Sequence, residues 1–294
     1  MKLTMILLLQ TIIVFWNVEN FFDYRSTEQI SGCNWTASRF YRKAEGIGKV
    51  ILSLSDSSGR APDIVGLCEI DSPASLKAIV HSPVLEKQGY RYIHYESADH
   101  RGIDCALLYR GGPPLSSESI PITLNGEVLP TRSILRVDFD SLSVMVVHLP
   151  SKRGGSREAQ RRRERALEMI DSVAAEISGP LLVMGDFNEE AGTKGTRELA
   201  YLKEILPSGE GSIKFNGKWE KIDRCMVKNA EVSCEIAFLN FLLAEDKTYG
   251  GLKPLRTNSG PRYLGGLSDH LPLRIEYRLA TESVTVLTLG NGCD

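Results

Sequence analysis

Apolar residues along the chain fall into two periods. Runs of four to eight, rich in Val, Ile, Leu and aromatics, read as strands over 11–17, 63–70, 90–96, 103–110, 133–139, 143–149, 180–186, 221–227 and 272–278. Apolar positions at helical spacing, each set opening near Ser or Thr, predict helices over 37–54 and 156–177, with a weaker pattern over 72–87. Strands interleaved with helices, some joined by hairpin-length connections such as 139–143, imply a mixed α/β domain with more than one sheet. No internal repeat, low-complexity tract or linker divides it.

The polar positions that matter lie where the strands stop. Strand 11–17 runs into Asn17 and Glu19, strand 63–70 reaches Glu69, and strand 143–149 reaches His148. Strand 180–186 closes on Asp186, with Asn188 two residues on, and Asp269 and His270 precede the last strand. GDFN by itself reads as a turn. Were the segment extended, Asp186 and Asn188 would share one side, since residues two apart on a strand point the same way. Taken together the set asks for more than turns, because ionised carboxylates are rarely buried unless paired or bound to a metal. An oxygen-rich cluster on one rim of a sheet suits Mg²⁺ or Mn²⁺. No Cys or HExxH spacing marks a zinc site.

Composition narrows the picture modestly. The 294 residues are 42% hydrophobic and 24% charged, enough for one large core, and the formal charge of −2 gives no global attraction to nucleic acid. An anionic substrate must therefore meet a local patch, for which Arg101, Lys152 and Arg153 are the candidates. The five arginines of REAQRRRER (157–165) lie in a predicted helix and read as a solvated face. Six irregularly spaced cysteines read as buried thiols of a reduced compartment, which favours a cytoplasmic address over export. Residues 1–10 resemble the start of a signal without a small-residue cleavage site. The apolar stretch is short for a spanning helix, so stable membrane insertion is not expected. Residues 280–294 form a tail with a strand-like SVTVLTL.

The blocks WNVEN (16–20), CE (68–69), RGIDCALLYR (101–110), HLPSKRGG (148–155), GDFN (185–188), WEKID (219–223) and SDHLP (268–272), in that order, resemble the endonuclease/exonuclease/phosphatase family. HLPSKRGG and GPRYLGGLSDHLP resemble a bacterial subgroup of it. The resemblance implies one domain over 11–279, folded as a four-layered α/β sandwich with two central mixed β-sheets flanked by helices, as in deoxyribonuclease I. It implies Glu69 as principal metal ligand with Asn17 beside it, and Glu19 and Asp269 as further metal-site carboxylates. Asp186 would orient or deprotonate the attacking water and Asn188 hold a phosphate oxygen. His270, supported by Asp223, would face the scissile phosphate, and His148, paired with Glu96, the leaving oxygen. The implied activity is metal-dependent phosphate ester hydrolysis, a phosphodiesterase or nuclease first. A phosphomonoesterase or a lipid or inositol phosphate hydrolase is the alternative on the same residues. A non-catalytic binding module fits poorly, since Glu69, Asp186, Asn188 and His270 are all present. The partner expected is a phosphate-ester substrate, nucleic acid included; no protein partner is expected, and the chain is expected to be a monomer.

Overall fold

The computed structural model describes residues 10–26, 35–151, 157–192 and 199–278. Helix α1 (Ala37–Ser53) starts where Thr36, in extended conformation, accepts the Arg39 N–H at its side-chain oxygen. It buries Phe40, Ala44, Ile47 and Ile51 on one face. Burying an aliphatic or aromatic side chain of this size contributes roughly 1.5–3 kcal/mol. Helix α2 (Pro73–Val80) is capped by Ser72 and opens on proline, whose missing N–H costs nothing in a first turn. The pattern over 72–87 thus resolves into this helix and a 3₁₀ turn, Glu86–Gln88. Helix α3 (Arg157–Glu176) buries Ala166, Leu167, Ile170 and Ala174.

Twelve strands build two six-stranded sheets. Named in chain order they are β1 (Gln10–Phe21), β2 (Ile64–Ile70), β3 (Arg91–His94), β4 (Asp104–Tyr109), β5 (Ser116–Ile120), β6 (Ile134–Asp138), β7 (Ser143–His148), β8 (Leu181–Asp186), β9 (Lys203–Ile205), β10 (Asp223–Lys228), β11 (Glu231–Ile236) and β12 (Leu273–Arg278). The first sheet runs β11-β12-β1-β2-β4-β3 and the second β9-β10-β8-β7-β6-β5. Both are mixed: β1 and β2 pair in parallel, as do β7 and β8, while the remaining neighbours are antiparallel. Three strands not legible in the sequence, β5, β9 and β11, are all sheet edges. SSESI, KEI and EVSCEI carry the polar content of a half-exposed edge.

The second sheet has no solvent face at its centre. Val144, Val146, Leu182, Met184, Cys225 and Val227 join the core shared with the first sheet. Their alternates Met145, Val147, Leu181, Val183 and Met226 pack with the α3 residues. Continuous apolar runs such as LLVM are what a strand covered on both faces requires. Helix, sheet, sheet and helix therefore stack as four layers, in agreement with the expected sandwich.

In each parallel pair the two carboxyl ends lie at the same edge, and antiparallel neighbours bring their amino ends there. That rim receives Asn17 and Glu19 from β1, Glu69 from β2, His148 from β7, Asp186 from β8, Asp223 from the start of β10, and His270 just ahead of β12. Tail residues 280–294, with their strand-like segment, lie outside the described residues.

Candidate active site

Alternation aims most of these side chains. His148, Asp186 and Asp223 continue the even or odd series of Val144, Met184 and Cys225 that faces the first sheet. The register places Asp186 opposite both His148 and Asp223. Glu69 breaks the rule. Gly66 lies against Met184 and pairs with Phe15, so Gly66 and Cys68 face the second sheet and the next residue would point away. A register shift between Cys68 and Ile70, with Glu69 at φ 65°, turns its carboxylate back to the rim. A matching irregularity in β1 holds Glu19 and Asn20 at φ 48° and 49°.

A dense set of hydrogen bonds fixes the site. Asn17 Nδ2 lies 3.0 Å from Asp186 Oδ2 and 3.4 Å from Glu69 Oε1, and its Oδ1 accepts the Glu19 N–H at 3.0 Å. In this arrangement Asn17 holds two carboxylates with its NH₂ group. The other Glu69 oxygen accepts the Asn20 N–H at 2.7 Å. Asp223 Oδ2 is 2.7 Å from His270 Nδ1, and His270 Nε2 is 3.9 Å from both Asp186 Oδ2 and Asp269 Oδ1. The loop carrying His270 is pinned by its carbonyl accepting Trp16 Nε1–H at 2.9 Å. Ser268 Oγ donates to Asn17 O at 2.6 Å and accepts the His270 N–H at 2.9 Å.

Burial and charge set the protonation states. Burial works against a charged His270, but the Asp223, Asp186 and Asp269 carboxylates outweigh it and hold the imidazole well above its ordinary range. Burial, with nearby Asp223, pushes Asp186 up to about 7 against the pull of His270 and the Asn188 and Asn17 hydrogen bonds. Burial first, then Arg132, Arg101 and His270, pushes His148 well down. A neutral His148 lies 3.5 Å from Asp186 Oδ2 and 4.0 Å from Glu69 Oε1.

Not every expected role matches. Glu96 is exposed and does not reach His148, whose buried Nδ1 has no hydrogen-bond partner among the described residues. The YES segment leaves the sheet at the end of β3, so nothing directs Glu96 inward. Asn188 is not extended: at φ 53° its N–H is accepted by Asp186 Oδ1 at 2.8 Å, and its Nδ2 donates to Leu149 O at 2.9 Å. GDFN is thus a turn built by Asp186 itself, and the turn, not strand alternation, brings the amide to the rim. Arg101 is half-buried, with Nε 3.3 Å from Asp99 Oδ1. Lys152 and Arg153 lie outside the described residues. The arginine run is not one solvated face, since buried Arg163 lies 3.3 Å from Glu189 Oε2 and 3.4 Å from Pro150 O, bracing two loops at the rim. Cys68, Cys105, Cys225 and Cys234 are free and buried, as expected of core thiols.

Three cations carry no mark in the sequence. Buried Arg132 donates to His148 O at 3.1 Å, Leu149 O at 2.5 Å and Asp99 Oδ2 at 3.0 Å, fixing the chain where β7 ends. Buried Lys43 donates to Glu19 O and Thr257 Oγ1, both at 2.6 Å. Arg256 Nη2 donates to Asp269 Oδ2 at 2.7 Å, and its Nε is 3.5 Å from Glu19 Oε1. Lys43 sits on an amphipathic helix and Arg256 in a loop, where no spacing distinguishes them from surface charges.

The donor set fits a hard cation. Glu69 Oε1 has the long Asn17 contact as its one hydrogen bond among the described residues, with His148 Nε2 4.0 Å away, which leaves a carboxylate oxygen of the kind Mg²⁺ or Mn²⁺ takes. Ligand atoms of Asp186, Asp223 and His270 also lie within 4.8 Å of one another. There the Nδ1 of a charged ring is already bonded to Asp223, and an imidazolium has no lone pair to offer.

The fold has solved counterparts. An endonuclease/exonuclease/phosphatase family protein from Bacteroides thetaiotaomicron is 14% identical with a TM-score of 0.61, covering 92% of this chain and 98% of that one. Beta toxin 275–280 from Staphylococcus aureus is 14% identical with a TM-score of 0.60, covering 90% and 99%. The human Nocturnin catalytic domain with bound sulfate anion is 16% identical with a TM-score of 0.56, covering 91% and 94%. No curated protein matches the chain. At these identities the likeness is one of fold. The sequence model of the endonuclease/exonuclease/phosphatase family, however, matches residues 12–278, and with that span the chain belongs to this family.

Proposed function

We propose that this protein hydrolyses phosphate esters with a divalent metal ion, as a phosphodiesterase with nucleic acid as its leading substrate class. The observation that carries the reading is the line Asp223–His270–Asp186, with Asn17, Glu69 and His148 beside it, at one rim of two facing sheets. Asp186, with an affinity for protons matched to neutral pH, accepts a proton from the attacking water. His270, charged and held by Asp223, presents Nε2–H to a phosphoryl oxygen. Asn188, with its amide fixed by Leu149 O, holds a second oxygen. As the bond from phosphorus to the leaving oxygen breaks, His148, kept neutral, donates a hydrogen bond to that oxygen, which takes its proton from solvent water. Mg²⁺ or Mn²⁺ on Glu69 would neutralise charge developing on the phosphoryl oxygens.

The test is a substrate panel with Mg²⁺ or Mn²⁺: plasmid and single-stranded DNA, RNA, bis-p-nitrophenyl phosphate, inositol phosphates and sphingomyelin. Turnover of DNA or RNA is expected to exceed that of monoesters and lipids. D186N and H270A should each lower turnover by roughly 10²–10⁴ while the circular dichroism spectrum stays unchanged. Near-normal turnover in both variants overturns the reading, and activity confined to monoesters or sphingomyelin moves the substrate to the alternative class.

A further inference from the structure

Glu19 and Asp269 stand at the rim as further metal carboxylates would, yet each carries a hydrogen bond and faces Arg256. Glu19 Oε2 accepts the Thr257 N–H at 2.6 Å, and Oε1 faces Arg256 Nε at 3.5 Å. Asp269 Oδ2 accepts Arg256 Nη2–H at 2.7 Å. One guanidinium spans both carboxylates while remaining 40% exposed toward the rim.

This placement is built into the backbone. Lys43 ties Glu19 O to Thr257 Oγ1 from below. Gly266 N donates to Arg256 O at 3.1 Å, and the two chains run so close that a Cβ at 266 would lie 1.8 Å from Leu255 O. Arg256 is therefore presented by a packed loop, where a flexible surface arginine would have to be ordered for the purpose.

We infer that Arg256 takes the place of a second metal ion: it pairs with both Glu19 and Asp269, so the site holds a single divalent ion, at Glu69. The inference rests on the metal-dependent reading above. The pairing supports it, since one guanidinium stands against the two carboxylates that a second divalent ion would need. A second would have to displace a guanidinium whose charge does not dissociate.

Mn²⁺ bound to the full chain, counted by equilibrium dialysis with electron paramagnetic resonance of the free ion, decides this without reference to turnover. Wild type is expected to bind one ion. R256Q, which frees both carboxylates, should bind a second, and R256K, which keeps a charge there, should stay at one. Two ions on wild type, or one ion on R256Q with an unchanged circular dichroism spectrum, overturns the inference. No ion on wild type overturns the Glu69 reading beneath it. Should R256Q not fold, the wild-type stoichiometry alone still separates one ion, as inferred, from two.

Discussion

Asp186 concentrates the cost and the use of the site in one side chain. It is ordinary as a strand-end residue and unusual in what surrounds it: full burial, Asp223 alongside and only partial compensation from His270. Activity should therefore rise with pH as Asp186 loses its proton near pH 7, with His270 still charged. The limb should move lower as the bound cation favours the ionised form. A pH profile of kcat/KM checks this, and D186N should lack the limb. Linkage gives a second outcome. The folded protein keeps the Asp186 proton between its ordinary value of 3.8 and about 7, where the unfolded chain has released it. The stability this proton contributes is present below about pH 4 and is lost as pH rises through 7. Denaturant titrations in chelator should show wild type weakening between pH 5 and 8 more than D186N does. Glu19, raised to about 7 by burial and then by Asp269, should leave part of the slope in the variant.

At the scale of elements, the site depends on how closely strands approach beneath it. Gly185 pairs with Val147 one step before the His148–Asp186 pair in the β7–β8 ladder, and a Cβ there would meet Val147 O at 2.2 Å. Gly66 packs across the sheets, where a Cβ would meet the Met184 methyl at 2.6 Å, the far end of a flexible side chain. Gly185→Ala should thus separate the strands that hold His148 and Asp186 and cost several kcal/mol, in the range of severe core lesions, whereas Gly66→Ala should cost about 1–3 kcal/mol as an overpacking change. Urea denaturation of the two variants ranks them. The bulge at Glu69 belongs to this scale as well, since one residue in left-handed conformation decides which face of β2 bears the carboxylate.

For the whole molecule, joining residues from two sheets at one rim couples metal binding to global stability. An ion that binds only the folded chain stabilises it by mass action, about 2.7 kcal/mol at a concentration of 100 Kd. Mg²⁺ should raise the thermal midpoint of wild type in a scanning fluorimetry titration, and Glu69→Ala should abolish the rise. The apolar periods of the sequence determined the central strands, the three helices and a mixed α/β domain with more than one sheet, because burial on one or both faces dictates those patterns by itself, whereas the four-layered sandwich came from the family resemblance. The ordered blocks from WNVEN to SDHLP likewise carried the family and most of the rim residues. Edge strands such as SSESI stayed hidden because a half-exposed strand needs no apolar alternation. The Glu96 pairing, the turn that positions Asn188, the inward carboxylate of Glu69 and the work of Arg132, Lys43, Arg163 and Arg256 were decided only by tertiary structure. Each depends on a backbone angle or on a partner far away in the chain, and periodicity records which face a residue prefers, while the neighbour it meets there is set by the packing of the two sheets.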